Sequence, residues 1–106
     1  MGKELVVEIY DLTKSFPTEE KFGMVSQMRR AAGPICSNLA EGSGRNTGKD
    51  QPHFYRVAYS SLMELLNQLL IAEALTWIKP AEVVVLRSSI EAVSVKINSL
   101  RKSIVE

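Results

Sequence analysis

The stretch Ser26–Arg45, which reads SQMRRAAGPICSNLAEGSGR, decides the fold of this chain. Its apolar positions recur every three or four residues, at Met28, Ala32, Ile35 and Leu39. This spacing is typical of one face of an α-helix. Gly33-Pro34 interrupts the stripe, but the pattern resumes beyond it. Because a proline inside a continuing pattern bends a helix, we predict a kink there rather than an end.

The same periodicity continues on both sides and predicts four helices, at about residues 4–16, 18–41, 50–76 and 80–105. Pro17 ends the first helix, because the residue before a proline is pushed out of the α region. Thr18 supplies a capping hydroxyl for the second helix, whose apolar stripe begins at Phe22. Glycines at positions 42 and 44 end that helix, and a polar loop runs to Asp50.

The last helix carries an unbroken heptad stripe, formed by Val83, Leu86, Ile90, Val93, Ile97, Leu100 and Ile104. Such a stripe is typical of left-handed bundle packing. Helices joined by short connections fold up-down-up-down. We therefore predict an all-α protein, an antiparallel four-helix bundle with a kinked second helix, in which residues 1–106 form a single domain.

The third predicted helix has apolar residues on more than one side. One line holds Phe54, Ala58, Leu62, Leu65, Leu69 and Ala72, and other sides carry Tyr55, Tyr59, Leu66, Leu70 and Ile71. A helix that is apolar most of the way round is buried on most sides, which a small monomeric bundle does not provide. This pattern indicates self-association.

Helices two and three should face each other with residue numbers that sum to about 92, because they run antiparallel around a loop near residue 46. Glu64 then lies near Arg29 and Arg30, and we expect it to pair with one of them. The expected structural polar network between the two helices consists of Gln27, Arg30, Asn38, Glu41, Ser61 and Glu64. An acid–base role for Asn38 and Glu41 lacks a neighbouring histidine or second carboxylate in the sequence.

Basic residues are concentrated in the middle of the chain. The net charge of the whole chain is +1, but residues 29–56 hold five basic and two acidic residues, a net +3. Positive surface attracts nucleic acid, more strongly when several copies align. The candidate nucleic-acid contacts are Arg45, Lys49 and Arg56, with Arg29 and Arg30 as weaker candidates. The alternative is that Arg45 and Lys49 are solvated loop charges and that the two helix arginines bind carboxylates.

Other classes of site lack their residues. The single cysteine, Cys36, and the single histidine, His53, give neither an internal disulfide nor a metal site, and no cofactor motif is present. The glycines around Ser43 lack the Gly-Lys-Thr/Ser ending of a phosphate loop. Tyr55 and Tyr59 are spaced to stack bases, although packing is the alternative. No apolar run is long enough to span a membrane, so we expect a cytoplasmic protein. Because no constellation of residues supports catalysis, we also expect that the protein is not an enzyme.

Two segments resemble a known bacterial family. The residues Ser26-Gln27-x-Arg29-Arg30-Ala31-Ala32, followed by the run Ser37 to Arg45, are similar to the pattern of the 23S rRNA intervening-sequence proteins. The segment from Tyr10 to Pro17 and the third-helix residues Ser61, Leu62 and Glu64 also match. The resemblance implies a bundle that assembles as a ring-shaped homopentamer. Its fold is similar to that of the accessory protein of diversity-generating retroelements, which binds nucleic acid and a reverse transcriptase.

The chain departs from the family pattern in two places. The family usually carries its proline at the position of Cys36 rather than Pro34, and the lead-in to helix one is short and lacks a tryptophan, so we expect a truncated N-terminus. Two functions remain open at this point. The first is a homo-oligomeric bundle that binds structured RNA or DNA through its basic middle segment. The alternative is a scaffold that docks a protein partner, such as a reverse transcriptase or a ribosome-associated factor.

Overall fold

The computed structural model describes residues 3–44 and 51–102, and these two ranges contain four α-helices. They are α1 (Lys3–Thr13), α2 (Met24–Gly44), α3 (Gln51–Ala74) and α4 (Pro80–Lys102), and a 3-10 turn, Thr18–Glu20, precedes α2. Each helix packs on the next, and α1 also contacts α4, which closes the bundle. No strand occurs in the described ranges. The predicted all-α antiparallel four-helix bundle is confirmed, with dimensions of 45 × 24 × 18 Å.

The heptad of α4 faces the core as predicted. Val83, Leu86, Ile90 and Ile97 are buried, and Val93 and Leu100 pack against them partly buried. The core line of α3 is also close to the prediction, except that Tyr55 rather than Phe54 is its first buried aromatic residue. Ile104 lies outside the described residues. The period of apolar residues therefore identified the buried faces of both helices.

The corner between α1 and α2 differs from the prediction. Helix α1 ends at Thr13 rather than near residue 16, and α2 begins at Met24 rather than Thr18. Hydrogen bonds from Lys21 N to Thr18 O and from Gly23 N to Glu20 O form tight turns between them. These turns interrupt the 3.6-residue phase of α2. Phe22 consequently lies 87% exposed, and its predicted place in the apolar stripe was wrong.

Helix α2 continues through Gly33-Pro34, as predicted from the resumption of its stripe. Two side chains of the next turn bond to backbone carbonyls here: Ser37 Oγ donates to Gly33 O at 3.3 Å and Asn38 Nδ2 to Pro34 O at 2.7 Å. The kink itself remains a prediction. The helix extends to Gly44, so the predicted end at residue 41 is three residues early, and the rest of the predicted loop lies outside the described residues.

Helix α3 ends in a Schellman motif. Thr76 N donates to Glu73 O at 2.9 Å and Trp77 N donates to Ala72 O at 3.0 Å. Thr76, the residue before Trp77, adopts a left-handed conformation with a φ of 63°. Glycine usually occupies such a position, since a β-branched residue is strained there. Beyond this motif Trp77 packs on Phe16, which follows α1, with ring centroids 5.6 Å apart.

Candidate functional site: the α2–α3 polar cleft and the basic residues around it

A polar cleft separates the exposed edges of α2 and α3. It has a volume of about 370 Å³, and its walls are formed by Gln27, Arg30, Ala31, Pro34, Ser61 and Glu64. The opposed positions Ala31 and Ser61 agree with the predicted register. Helix α2 keeps to small or polar residues along this edge, so the cleft does not fill with apolar side chains.

Four residues of the expected polar network line this cleft, and two do not. Gln27, Arg30, Ser61 and Glu64 are brought together. Asn38 lies one turn further along α2 and donates to its own helix. Glu41 is exposed in the last turns of α2 and does not line the cleft.

Glu64 bonds along its own helix rather than across the cleft. Gln68 Nε2 donates to Glu64 Oε1 at 3.4 Å. Gln68 is 6% exposed, and its Oε1 is buried without a hydrogen-bond partner among the described residues. A buried amide oxygen left unpaired costs about 1–3 kcal/mol. Because Gln68 does not line the cleft, this oxygen adds no acceptor to it.

The expected ion pair from Glu64 to an arginine is not formed. Arg30 lines the same cleft as Glu64, yet no ion pair within 4.0 Å joins them in the described part of the chain. Arg29 faces another helix altogether. Successive residues of an α-helix point about 100° apart, so when Arg30 borders α3 its neighbour turns toward α1.

The Arg29 side chain connects α2 to α1 through hydrogen bonds. Its Nε donates to Thr13 Oγ1 at 2.9 Å and its Nη2 to Tyr10 O at 3.3 Å, while its guanidinium lies 4.5 Å from the centroid of the Tyr10 ring. Thr13 is buried, and its hydroxyl group donates a hydrogen bond to Ile9 O at 2.8 Å. The residues of the Tyr10-to-Pro17 pattern thus hold Arg29, a partner that sequence reasoning did not identify.

The remaining predicted basic residues divide into two groups. Arg30 and Arg56 are exposed on α2 and α3. Neither has a side-chain hydrogen bond or ion pair with another described residue. Arg45 and Lys49 lie outside the described residues. Of the two tyrosines considered for base stacking, Tyr55 is buried and Tyr59 packs partly buried against the core.

Helix packing gives a reason for the glycine at position 42, within the run from Ser37 to Arg45. A Cβ added at this glycine would lie 2.6 Å from Tyr55 Cε1, closer than any real Cβ approaches a neighbour. Helix α2 therefore approaches α3 at a point where only a glycine fits against the tyrosine ring. Sequence reasoning had given this glycine the role of a helix end.

Neither Cys36 nor His53 lines the polar cleft. Cys36 is a half-buried free thiol, and the exposed ring of His53 packs edge-on against Phe54 at 5.6 Å. Within residues 3–44 and 51–102, no group of three His, Cys, Asp or Glu side chains is placed to hold a metal ion. No helix in these ranges is long and apolar enough to cross a membrane.

A family model described as 23S rRNA-intervening sequence protein matches residues 1–99, nearly the whole chain. No curated protein matches this chain at a significant level. The match includes α1, α2, α3 and most of α4, together with the cleft and the Arg29 contacts.

Proposed function

Because this chain belongs to the 23S rRNA-intervening sequence protein family, we propose that it is a homo-oligomeric helical bundle, pentameric and without enzymatic activity, that binds structured RNA or DNA. The observation that carries the binding part is the exposure of Arg30 and Arg56, which have no carboxylate partner among the described residues. A guanidinium without a partner is available for bidentate bonds to phosphate.

Self-association is supported by the C-terminal end of α3 and the residue that follows it. Leu70, Ile71 and Leu75 are 36%, 40% and 48% exposed, and they lie within about one and a half helical turns of each other. Adjacent exposed aliphatic side chains of this kind mark interaction surfaces more often than isolated ones do. Assembly buries them and explains why α3 carries apolar residues on more than one side.

Assembly also allows a chain of low net charge to bind a polyanion. One copy carries +1 overall, too little for strong binding to a polyanion. A ring repeats Arg30 and Arg56 in every subunit, so several phosphates are contacted at once. Each phosphate contact releases counterions, and binding energy therefore grows with the number of aligned copies.

The test is a pair of charge-reversal variants measured for RNA binding and for native mass. Arg30→Glu with Arg56→Glu should weaken binding to a structured RNA at least tenfold, while the native mass stays that of the wild type. The matched control is Arg87→Glu with Arg101→Glu, because both residues are exposed on α4 and the change in charge is the same. Equal loss in both variants would contradict the assignment of these two arginines. A further pair, Arg45→Glu with Lys49→Glu, tests the segment between α2 and α3.

One feature favours the second candidate, a scaffold that docks a protein partner. A groove of about 450 Å³ between α1 and α4 is lined by the apolar residues Leu12, Val85 and Leu86 and by the acidic residues Glu8, Asp11 and Glu82. Its charge fits a partner segment that carries basic and apolar side chains, and it does not fit nucleic acid. In a pull-down after nuclease treatment, a partner that wild type retains and Val85→Glu loses would favour the scaffold. Complete loss of the partner on nuclease treatment would favour nucleic acid.

A further inference from the structure

A second basic cluster lies at the corner where α1 turns into α2. Lys14, Lys21 and Arg29 line one cleft of about 250 Å³ together with the hydroxyl-bearing Thr13 and Thr18, and no carboxylate lines it. The two lysines belong to residues 1–28, which hold three basic and five acidic residues. A count of charge along the sequence therefore conceals the cluster, and only the folded corner brings it together.

Arg29 is fixed in place at the inner wall of this cleft. It is half-buried, and its bonds to Thr13 Oγ1 at 2.9 Å and Tyr10 O at 3.3 Å use Nε and one N–H of Nη2. Further guanidinium N–H groups are left unused, since the guanidinium carries more donors than these two bonds employ. The Arg29 guanidinium also lies 4.5 Å from the centroid of the Tyr10 ring. A guanidinium that is oriented before binding loses little entropy when a ligand arrives.

The two lysines lie at the outer wall and are free to turn inward. Lys14 Nζ is 3.3 Å from Asp11 Oδ1, but both side chains are about 70% exposed, and an exposed pair of this kind is weak. Lys21 Nζ lies 5.7 Å from the ring centroid of the exposed Phe22. Glu20, next to Lys21 in the chain, accepts a bond from Met24 N at 3.4 Å and is turned toward α2.

We propose that this cleft binds a phosphate group, held by the Arg29 guanidinium and by the ammonium groups of Lys14 and Lys21. Fixed guanidinium N–H groups flanked by mobile ammonium groups match the oxygens of a phosphate. The proposal rests on the proposed function insofar as the phosphate belongs to a nucleic-acid backbone. A free phosphate offers the same chemistry, and the experiment separates the two sources.

The first arm measures RNA binding. The variant Lys14→Gln with Lys21→Gln removes two exposed charges and leaves the Arg29 contacts intact. We expect its affinity for a labelled RNA hairpin at about 0.1 M salt to fall roughly tenfold, and the log–log salt slope to become shallower by roughly 0.7–0.9 for each cleft whose phosphate contact is lost. The control is Lys79→Gln with Lys96→Gln. Both lysines are exposed; Lys79 directly precedes α4 and Lys96 lies within it. An unchanged slope in the first variant, or equal changes in both, would overturn the cleft and leave the proposed function standing.

The second arm uses inorganic phosphate alone and follows the backbone amide signals of residues 13–29 by NMR. Saturable shifts in wild type that are lost in Lys14→Gln with Lys21→Gln would support the cleft. If they occur in a protein that binds no RNA, the phosphate source is a free phosphate, and the nucleic-acid function fails while the cleft stands. Absence of both shifts and RNA binding would overturn both proposals.

Discussion

Replacing Gly42 by alanine tests the closest helix approach in the bundle. The added Cβ would lie 2.6 Å from Tyr55 Cε1 and 3.1 Å from Cδ1 and Cζ. Carbon atoms reach ordinary contact at roughly 3.5–4.0 Å, so the ring must shift by about 1 Å. Tyr55 is 2% exposed, which leaves it no room to move aside. Overpacking of this size costs about 1–3 kcal/mol, and the better helix propensity of alanine returns up to about 1 kcal/mol.

We therefore expect Gly42→Ala to lower the free energy of unfolding by about 0.5–2 kcal/mol, which lowers the melting temperature by roughly 2–16 °C. The matched control is Gly33→Ala in the same helix, where no atom outside the local chain lies within 4 Å of the added Cβ. There the helix-propensity gain is opposed by the restriction that Pro34 places on the residue before it, so the expected change is close to zero.

The assay is thermal and urea unfolding followed by circular dichroism at one fixed protomer concentration, because assembly makes stability depend on concentration. Adding Tyr55→Leu should relieve the contact, so the double variant with Gly42→Ala should lose about 1 kcal/mol less than the two single changes summed. If Gly42→Ala is as stable as Gly33→Ala, or if the double variant is additive, the close approach is not what the glycine serves.

Three further outcomes follow from particular contacts. Thr13→Val removes the acceptor of Arg29 Nε and should cost about 1–3 kcal/mol of unfolding free energy, whereas Ser37→Ala, whose hydroxyl bonds to its own helix and is exposed, should change it by less than about 0.5 kcal/mol. Thr76→Gly relieves the left-handed conformation at φ of 63° and should raise the unfolding free energy by about 1 kcal/mol, a gain that Thr76→Ala should not give. Ile71→Asp places a charge among the exposed aliphatic residues of α3 and should shift the native mass toward monomer, while Val95→Asp on α4 should not; an unchanged mass in the first variant would remove α3 from the interface.

Periodicity predicted the helices and most of their buried faces, because each face repeats a local pattern. The heptad residues Val83, Leu86, Ile90 and Ile97 and the α3 line from Ala58 to Ala72 are core residues in the structure, and Val93 is partly buried against them. The pattern failed where the backbone leaves the α-helical phase. Phe22 follows a 3-10 turn, and Thr76 occupies a left-handed position for which the sequence offers no glycine as a signal.

The candidate sites were harder to predict because their contacts are distant in sequence. Arg29 bonds to residues 16 and 19 positions before it, and no local pattern announces those partners. The facing register correctly brought Arg30 and Glu64 to one cleft, but it did not decide which arginine faces α3 or whether an ion pair forms. Lys14 and Lys21 join Arg29 only through the shape of the α1–α2 corner.

The salt dependence of nucleic-acid binding by the wild-type chain tests the central claim most directly. Affinity for a labelled structured RNA and for a length-matched duplex DNA would be measured between about 0.05 and 0.3 M salt, with native mass recorded under the same conditions. An oligomer contacting roughly five phosphates should give a log–log slope of about −3.5 to −4.5, or steeper, for either nucleic acid. No binding at the lowest salt, or a slope shallower than about −1 in a protein of monomeric mass, would contradict the proposed function.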